Sequence, residues 1–226
     1  MPGKVQRRSK NFSGIRYSGL TKQFRKAAMK TITITINGAT VSGKQGDTIL
    51  EAAQSVGIEI PTLCYLKELA PYGGCRLCLV EIIQGKHSHL VASCGYYLKD
   101  GLVVETDSPR VKRSRTLVLE LLLASMPGSP EIQRHARNYN VTSSRYKRPL
   151  NFCVLCGLCV RYCEEIKKAH CLGFVGRGVE REVAWIPLTK YKDECEGCME
   201  CQRLCPTGVF PSNWGIAQNS IRTLTI

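Results

Sequence analysis

Cys153 to Cys163 reads C-V-L-C-G-L-C-V-R-Y-C, and the spacing returns as C-E-G-C-M-E-C-Q-R-L-C-P from Cys195 to Pro206. Each copy is C-x2-C-x2-C-x3-C, the ligand run of a pair of [4Fe–4S] cubanes. A cubane needs four thiolates around a compact, sulfide-rich core. Three cysteines at x2 gaps in a small-residue turn aim at one point, and the fourth is supplied by the other copy. This crossed pattern predicts one cubane on Cys153, Cys156, Cys159 and Cys205, and a second on Cys195, Cys198, Cys201 and Cys163. Each cluster then staples the two halves of the region together, so that folding is coupled to iron. Disulfides compete poorly, because successive x2 gaps crowd the thiols into geometry that bridges badly. Zinc closes with four ligands and has no use for a third cysteine at the same interval.

The 226 residues are 43% hydrophobic, a globular composition with room for one or two cores, but their thirteen cysteines exceed what packing asks for. The N-terminus lacks the apolar centre of a signal peptide. The longest apolar run, Leu117 to Ala124, is broken by Glu120 and is too short for a bilayer. The expectation is a soluble, cytoplasmic protein in a reducing compartment, where thiolates stay available for iron. A formal charge of +14 suggests nucleic acid as an alternative partner, through counterion release. Iron–sulfur clusters are net negative once their thiolates are counted, however, and much of the excess is local. Residues 1–30 hold nine Lys and Arg and no acid. Residues 1–29 read as a basic arm outside the fold. A partner-binding arm, a targeting-like presequence and a true start at Met29 all fit.

After the arm, Thr31 to Ile36 alternates Thr with Ile, the period of a half-buried strand. Asn37-Gly38 is a hairpin turn that returns the chain as a second strand over Ala39 to Val41. A helix follows, with a Thr48-x-x-Glu51 capping box, apolar Ile49, Leu50, Ala53 and Val56, and Gly57 at its C-terminal end. Hairpin then helix is the opening of a β-grasp domain. The next four cysteines, Cys64, Cys75, Cys78 and Cys94, fall as C-x10-C-x2-C-x15-C. A strand is expected over Leu77 to Ile83, a turn at Gln84-Gly85, and a returning strand over Leu90 to Ala92. Four thiolates on a loop and a hairpin suit a [2Fe–2S] rhomb, in which each iron takes two. Gly73-Gly74 lets the backbone approach the sulfurs. Zinc is the competing occupant of this set.

These stretches resemble a known family. P-T-L-C-Y-L around Cys64 and G-G-C-R-L-C-L-V-E-I from Gly73 to Ile82 are similar to the N-terminal [2Fe–2S] domain of the large (75-kDa) iron–sulfur subunit of complex I. The same domain opens the diaphorase small subunit of NAD-linked hydrogenases and the electron-transfer subunit of iron-only and electron-bifurcating hydrogenases. T-D-S-P from Thr106 to Pro109 and R-T-L-V-L-E-L-L-L-A from Arg115 to Ala124 resemble the family's connecting helix, and the Cys153 run with G-F-V-G-R-G from Gly173 to Gly178 its two-cubane domain. Many members carry a further cubane on one His and three Cys after the helix. Here that segment is Ala124-Ser125-Met126-Pro127-Gly128, with no cysteine between Cys94 and Cys153, so the extra cluster is expected to be missing. His135 is expected at the surface, residues 127–150 as a basic linker, and Cys171 as a packed or free thiol outside the ligand sets.

The fold class expected is α+β. The arm (1–29) precedes a [2Fe–2S] β-grasp domain (30–107). A connecting helix and basic linker (108–150) then lead to a bacterial-type two-[4Fe–4S] ferredoxin domain (151–226). No G-x-G-x-x-G follows a strand, and four histidines give no confident base, so no catalytic residue is assigned. The resemblance implies an electron-transfer subunit of a multi-subunit NAD(P)-linked oxidoreductase, first of all a hydrogenase, electron-bifurcating types included. Its partners would be a flavin- and NAD(P)-binding subunit and a terminal redox subunit or soluble ferredoxin. An NAD-linked formate dehydrogenase is the alternative complex. A cubane used as a catalytic redox site, and a basic metal-binding nucleic-acid protein, are the alternatives of other classes.

Overall fold

The computed structural model describes residues 30–147, 153–185, 198 and 200–208. The basic arm at 1–29 and the candidate ligand Cys195 lie outside the described residues. The described residues from Thr31 onward belong to one compact unit.

Strand β1 (Thr31–Ile36) buries its isoleucines and turns its threonines outward, as its alternation requires. Asn37 (φ 51°) and Gly38 (φ 81°) both take the left-handed region, the pair of conformations a tight hairpin needs. The chain returns as β2 (Ala39–Lys44), paired from Ile36↔Ala39 to Thr31↔Lys44 and three residues longer than the apolar pattern implied. Helix α1 (Ile49–Ser55) starts at the expected capping box. Glu51 N–H donates to Thr48 Oγ1 at 3.3 Å, and Thr48 N–H donates to Glu51 Oε2 at 2.8 Å.

Strands β3 (Leu79–Gln84) and β4 (His87–Ala92) form the second hairpin. Its boundaries differ from expectation. Leu77 and Cys78 precede β3 instead of opening it, the turn is at Gly85-Lys86, and β4 begins at His87, three residues ahead of Leu90. The pattern also gave no sign of β5 (Val103–Glu105), which lies in the middle of the sheet in the order β2-β1-β5-β3-β4. It runs parallel to β1 and antiparallel to β3, completing the β-grasp. The Asn37 side chain fastens it, since Thr106 N–H donates to Asn37 Oδ1 and Asn37 Nδ2 donates to Thr106 Oγ1, each at 2.8 Å. Ile34, Ile36, Ile49, Leu50, Val80, Ile82 and Val104 make the core between sheet and helix. Each such side chain contributes about 1.5–3 kcal/mol by leaving water.

Helix α2 (Pro109–Ser125) opens on Ser108, whose Oγ accepts from Val111 N–H at 3.2 Å, with Pro109 in the first turn. Residues 127–150, expected to be linker, contain helix α3 (Pro130–Asn138), capped by Ser129 and placing Ile132, His135 and Ala136 inward. His135 is therefore buried and not a surface residue. Leu119 of α2 and Ala136 of α3 close over Leu63 and Leu77 in a second core. Further on, α4 (Leu158–Arg161) runs into a π-turn over Tyr162–Ile166. The hairpin β6 (Leu172–Val175) and β7 (Glu182–Trp185) follows, then α5 (Glu200–Arg203). No helix among the described residues is long and apolar enough to cross a membrane.

Candidate metal centre

Cys64 and Cys75 lie on the loop between α1 and β3, Cys78 immediately before β3, and Cys94 in the turn after β4. Sheet and turn bring them together. Cys75 N–H donates to Cys64 Sγ at 3.4 Å, and the Cys78 and Cys94 sulfurs are 3.4 Å apart. None of the described cysteines is in a disulfide. Gly73 takes φ 65° and Arg76 φ 58°, turning the loop back on itself around Cys75. A Cβ on Gly74 would run into the Tyr72 ring, so that position has no space for a side chain.

The electrostatics divide the four into two pairs. Its hydrogen bond to Cys64 draws the Cys75 thiol down to about 6 and, with burial, pushes Cys64 up. In the same way, the bond to Cys94 draws Cys78 down to about 7, while that bond and burial push Cys94 up. Within each pair one sulfur is therefore the easier to ionise, and a metal group that bound these sulfurs would displace the protons they hold. Two pairs of sulfur donors with a backbone amide aimed at one of them fit a two-iron group.

In the later segment, Leu155 (φ 53°) and Gly157 (φ 73°) put left-handed turns between the cysteines. A Cβ on Gly157 would come within 3.1 Å of the Phe174 ring. Cys159 belongs to a core with Val160, Leu172 and Val183, and Cys153, Cys163, Cys201 and Cys205 pack against that core. Burial pushes the Cys156 thiol up to about 12 and raises Cys153 and Cys159 as well. Buried and half-buried thiols in one cluster are compatible with ligation of an iron group, which would supply the positive charge that stabilises thiolates, although among the described residues no three Cys, His, Asp or Glu are grouped to hold a single metal ion. Amide donors are in place here too, Leu155 N–H to Cys153 Sγ at 3.4 Å and Cys171 N–H to Cys163 Sγ at 3.2 Å. Cys171 is thus packed, its N–H aimed at a candidate ligand and its thiol 3.5 Å from Ala169 O. Thr207 Oγ1 lies 3.3 Å from Cys205 Sγ. Cys198 is half-buried on the last stretch.

The two cysteine regions share one seam, where Cys64 and Leu69 pack with Cys156 and Leu158, and Cys75 lies against them. Sequence reading missed the residues that close it: Arg161, Glu165, Tyr72 and Phe174. A charged residue inside the otherwise small and apolar C-V-R-Y-C run was the available signal. A separate cleft of about 1000 Å³, lined by Lys112, Glu131, Arg134 and His135 among others, contains no cysteine.

The sheet and its four gathered cysteines define a ferredoxin-type domain, and the 2Fe-2S iron-sulfur cluster binding domain family matches residues 29–109. The chain is 32% identical to the NADH-ubiquinone oxidoreductase 75 kDa subunit of Reclinomonas americana, over 80% of this chain and 29% of that protein. It is 34% identical to the NADP-reducing hydrogenase subunit HndD of Solidesulfovibrio fructosivorans, over 80% of this chain and 36% of the relative. A chain in the crystal structure of an NAD+-reducing [NiFe]-hydrogenase in the H2-reduced state superposes with a TM-score of 0.60 at 30% identity, covering 68% of this chain and 74% of that one. The chain belongs to the family of iron–sulfur subunits that includes the complex I 75/78-kDa subunit and subunits of NAD-reducing hydrogenases. It spans about a quarter to a third of the length of the curated relatives it matches.

Proposed function

We propose that this chain is the iron–sulfur electron-transfer subunit of a multi-subunit NAD(P)-linked oxidoreductase, with a hydrogenase as its terminal partner. Cys64, Cys75, Cys78 and Cys94 hold a [2Fe–2S] group. Cys153, Cys156, Cys159 and Cys205 hold one [4Fe–4S] group, and Cys195, Cys198, Cys201 and Cys163 a second, within a two-cubane ferredoxin domain. Such groups, when bound, take up and release single electrons. The chain's own residues orient the sulfurs, exclude water from them and aim amide hydrogens at Cys64, Cys153 and Cys163. The observation that carries this reading is the shared seam, where the candidate two-iron loop packs directly on the first cubane segment. A relay needs that closeness; two independent zinc knuckles do not. A separate flavin-bearing subunit exchanges hydride with the nicotinamide and passes single electrons to this chain. Bifurcating hydrogenase and formate dehydrogenase complexes use the same relay with different terminal partners.

The test is iron and acid-labile sulfide analysis of the anaerobically purified full chain, with EPR after dithionite. One two-iron and two four-iron signals are expected, and Cys75→Ser should remove only the two-iron signal. Tightly held zinc without sulfide would refute the reading. Reduction by NAD(P)H only after a flavin-bearing partner is added, and electron delivery to hydrogenase in preference to formate dehydrogenase, test the assignment of the complex.

A further inference from the structure

Arg161 is the last residue of α4, between the candidate ligands Cys159 and Cys163. It is 8% exposed. Its guanidinium crosses the seam, with Nη2 donating to Cys64 O at 2.7 Å and Nη1 to Ala70 O. It also lies 5.1 Å from the centre of the Tyr72 ring, which stacks on Phe174 at 6.4 Å. One turn later Glu165 Oε2 accepts from Ala70 N–H at 2.7 Å. The Ala70 backbone is therefore held at both its carbonyl and its N–H by side chains four residues apart on the other segment. That fixes the loop carrying Cys64 against the segment carrying Cys156 and Cys159.

A buried cation normally has an anion beside it, because taking a charge out of water is costly. Arg161 forms no ion pair among the described residues, and its Nε, like that of buried Arg115, has no hydrogen-bond partner there; what sets Arg161 apart is that it bridges the two cysteine segments. Its acceptors are neutral carbonyls. Negative charge reaches this seam from the Glu165 carboxylate on Ala70 N–H and, under the ligand reading, from four thiolates around iron on the Cys64 loop, which stay net negative in both oxidation states.

We propose that Arg161 is a positioning residue that sets the reduction potential of the two-iron group at the Cys64 loop and locks that loop at its distance from the first cubane segment. The inference rests on the ligand reading proposed above. The reduced form carries one more negative charge than the oxidised form, so a fixed positive charge beside Cys64 stabilises it preferentially and raises the potential. Glu165 positions the loop, and Glu165→Gln keeps an oxygen for Ala70 N–H; its charge lies in an exposed setting where water screens it, so it acts in the opposite sense to Arg161 and more weakly.

The experiment is an EPR-monitored redox titration of the iron-loaded full chain, unsubstituted and as Arg161→Met, Arg161→Lys and Glu165→Gln. Arg161→Met keeps the stem and removes the charge. It should shift the reduced-to-oxidised ratio of the two-iron signal about ten-fold toward oxidised at a given potential, which is about 59 mV for one electron. Arg161→Lys and Glu165→Gln should stay within about three-fold of the parent. A two-iron potential that Arg161→Met leaves within that range overturns the proposal, as does a lysine that shifts it as far as methionine does. Should Arg161→Met fail to take up iron, the lysine variant decides: a potential near the parent's sustains the charge assignment, and a ten-fold shift overturns it. Absence of a two-iron signal from the unsubstituted chain is a different failure, that of the ligand reading itself.

Discussion

Arg115 offers the most demanding check on the energetics of the fold. It is 2% exposed, in the middle of α2, with Nη2 donating to Leu79 O at 2.6 Å and Nη1 to Tyr139 Oη at 2.6 Å. One side chain thus ties α2 to the first residue of β3, next to Cys78, and to the end of α3. Arg115→Ala removes two charge-assisted hydrogen bonds, each about 1.5–3 kcal/mol, and strands Leu79 O. Tyr139 is partly exposed and regains water, so a net loss of about 3–4 kcal/mol is expected. With a guanidinium slope of about 4 kcal/mol per molar, that is a drop of roughly 1 M in midpoint. Tyr139→Phe removes one of the two bonds and should cost about 1.5–2 kcal/mol, half of that shift. The assay is guanidinium titration of the iron-loaded chain, followed by far-UV circular dichroism and by visible absorbance, with both traces expected to move together. Equal shifts for Arg115→Ala and Tyr139→Phe would refute the account of Arg115 as a buried tie to β3.

Leu119 is fully buried between α2 and α3, and Leu119→Ala should cost about 2–5 kcal/mol in the same titration. Gly157→Ala puts a Cβ at φ 73° and 3.1 Å from Phe174. The backbone alone costs about 1–2 kcal/mol, and four-iron signals should weaken relative to the two-iron signal, unchanged proportions being the contrary result. Burial, reinforced by the Arg134 charge, holds His135 below its usual range despite Glu131 at 3.2 Å. The unfolded chain therefore binds the proton first, and stability is lost as pH falls below about 6.5 through the folded value. Melting temperatures at pH 7.5 and 5.5 should diverge more for the parent than for His135→Asn, and parallel curves would count against the assignment.

The first hairpin and α1 were legible because each is specified locally: alternating Ile and Thr, a turn that needs two left-handed residues, and a reciprocal cap at Thr48 and Glu51. β5 was not, because three residues carry no period. Its place in the sheet comes from partners far away in the chain, β1 and the Asn37 side chain. α3 went unseen for a different reason. Its Pro, Arg and Gln suggested linker, although Ser129, Pro130 and Glu131 form a sound helix start and Ile132, His135 and Ala136 lie on one face. The contacts of Cys64 with Cys75 and of Cys78 with Cys94 follow from spacing, since hairpin and loop leave few other arrangements. Arg161 and Glu165 belong to long-range geometry, 97 and 95 residues from the carbonyl and amide they hold. The charge of Arg161 inside its run marks an oddity, but no local pattern names the partners it holds.

The middle position of β5 bears on how this molecule can be divided. Between the two hairpins, the backbone ladder passes only through those three residues. The second hairpin leans in turn on the next helix, where Ser108 Oγ donates to Glu81 and Arg115 reaches Leu79. A fragment trimmed after Asp107 would keep every cysteine of the first set yet uncover Leu63 and Leu77 beside them, inviting solvent and oxygen to the sulfurs. Extending the piece through Val141 restores the cover over Leu63 and Leu77, while Cys64 and Leu69 stay covered only when the segment carrying Cys156 and Leu158 is kept as well.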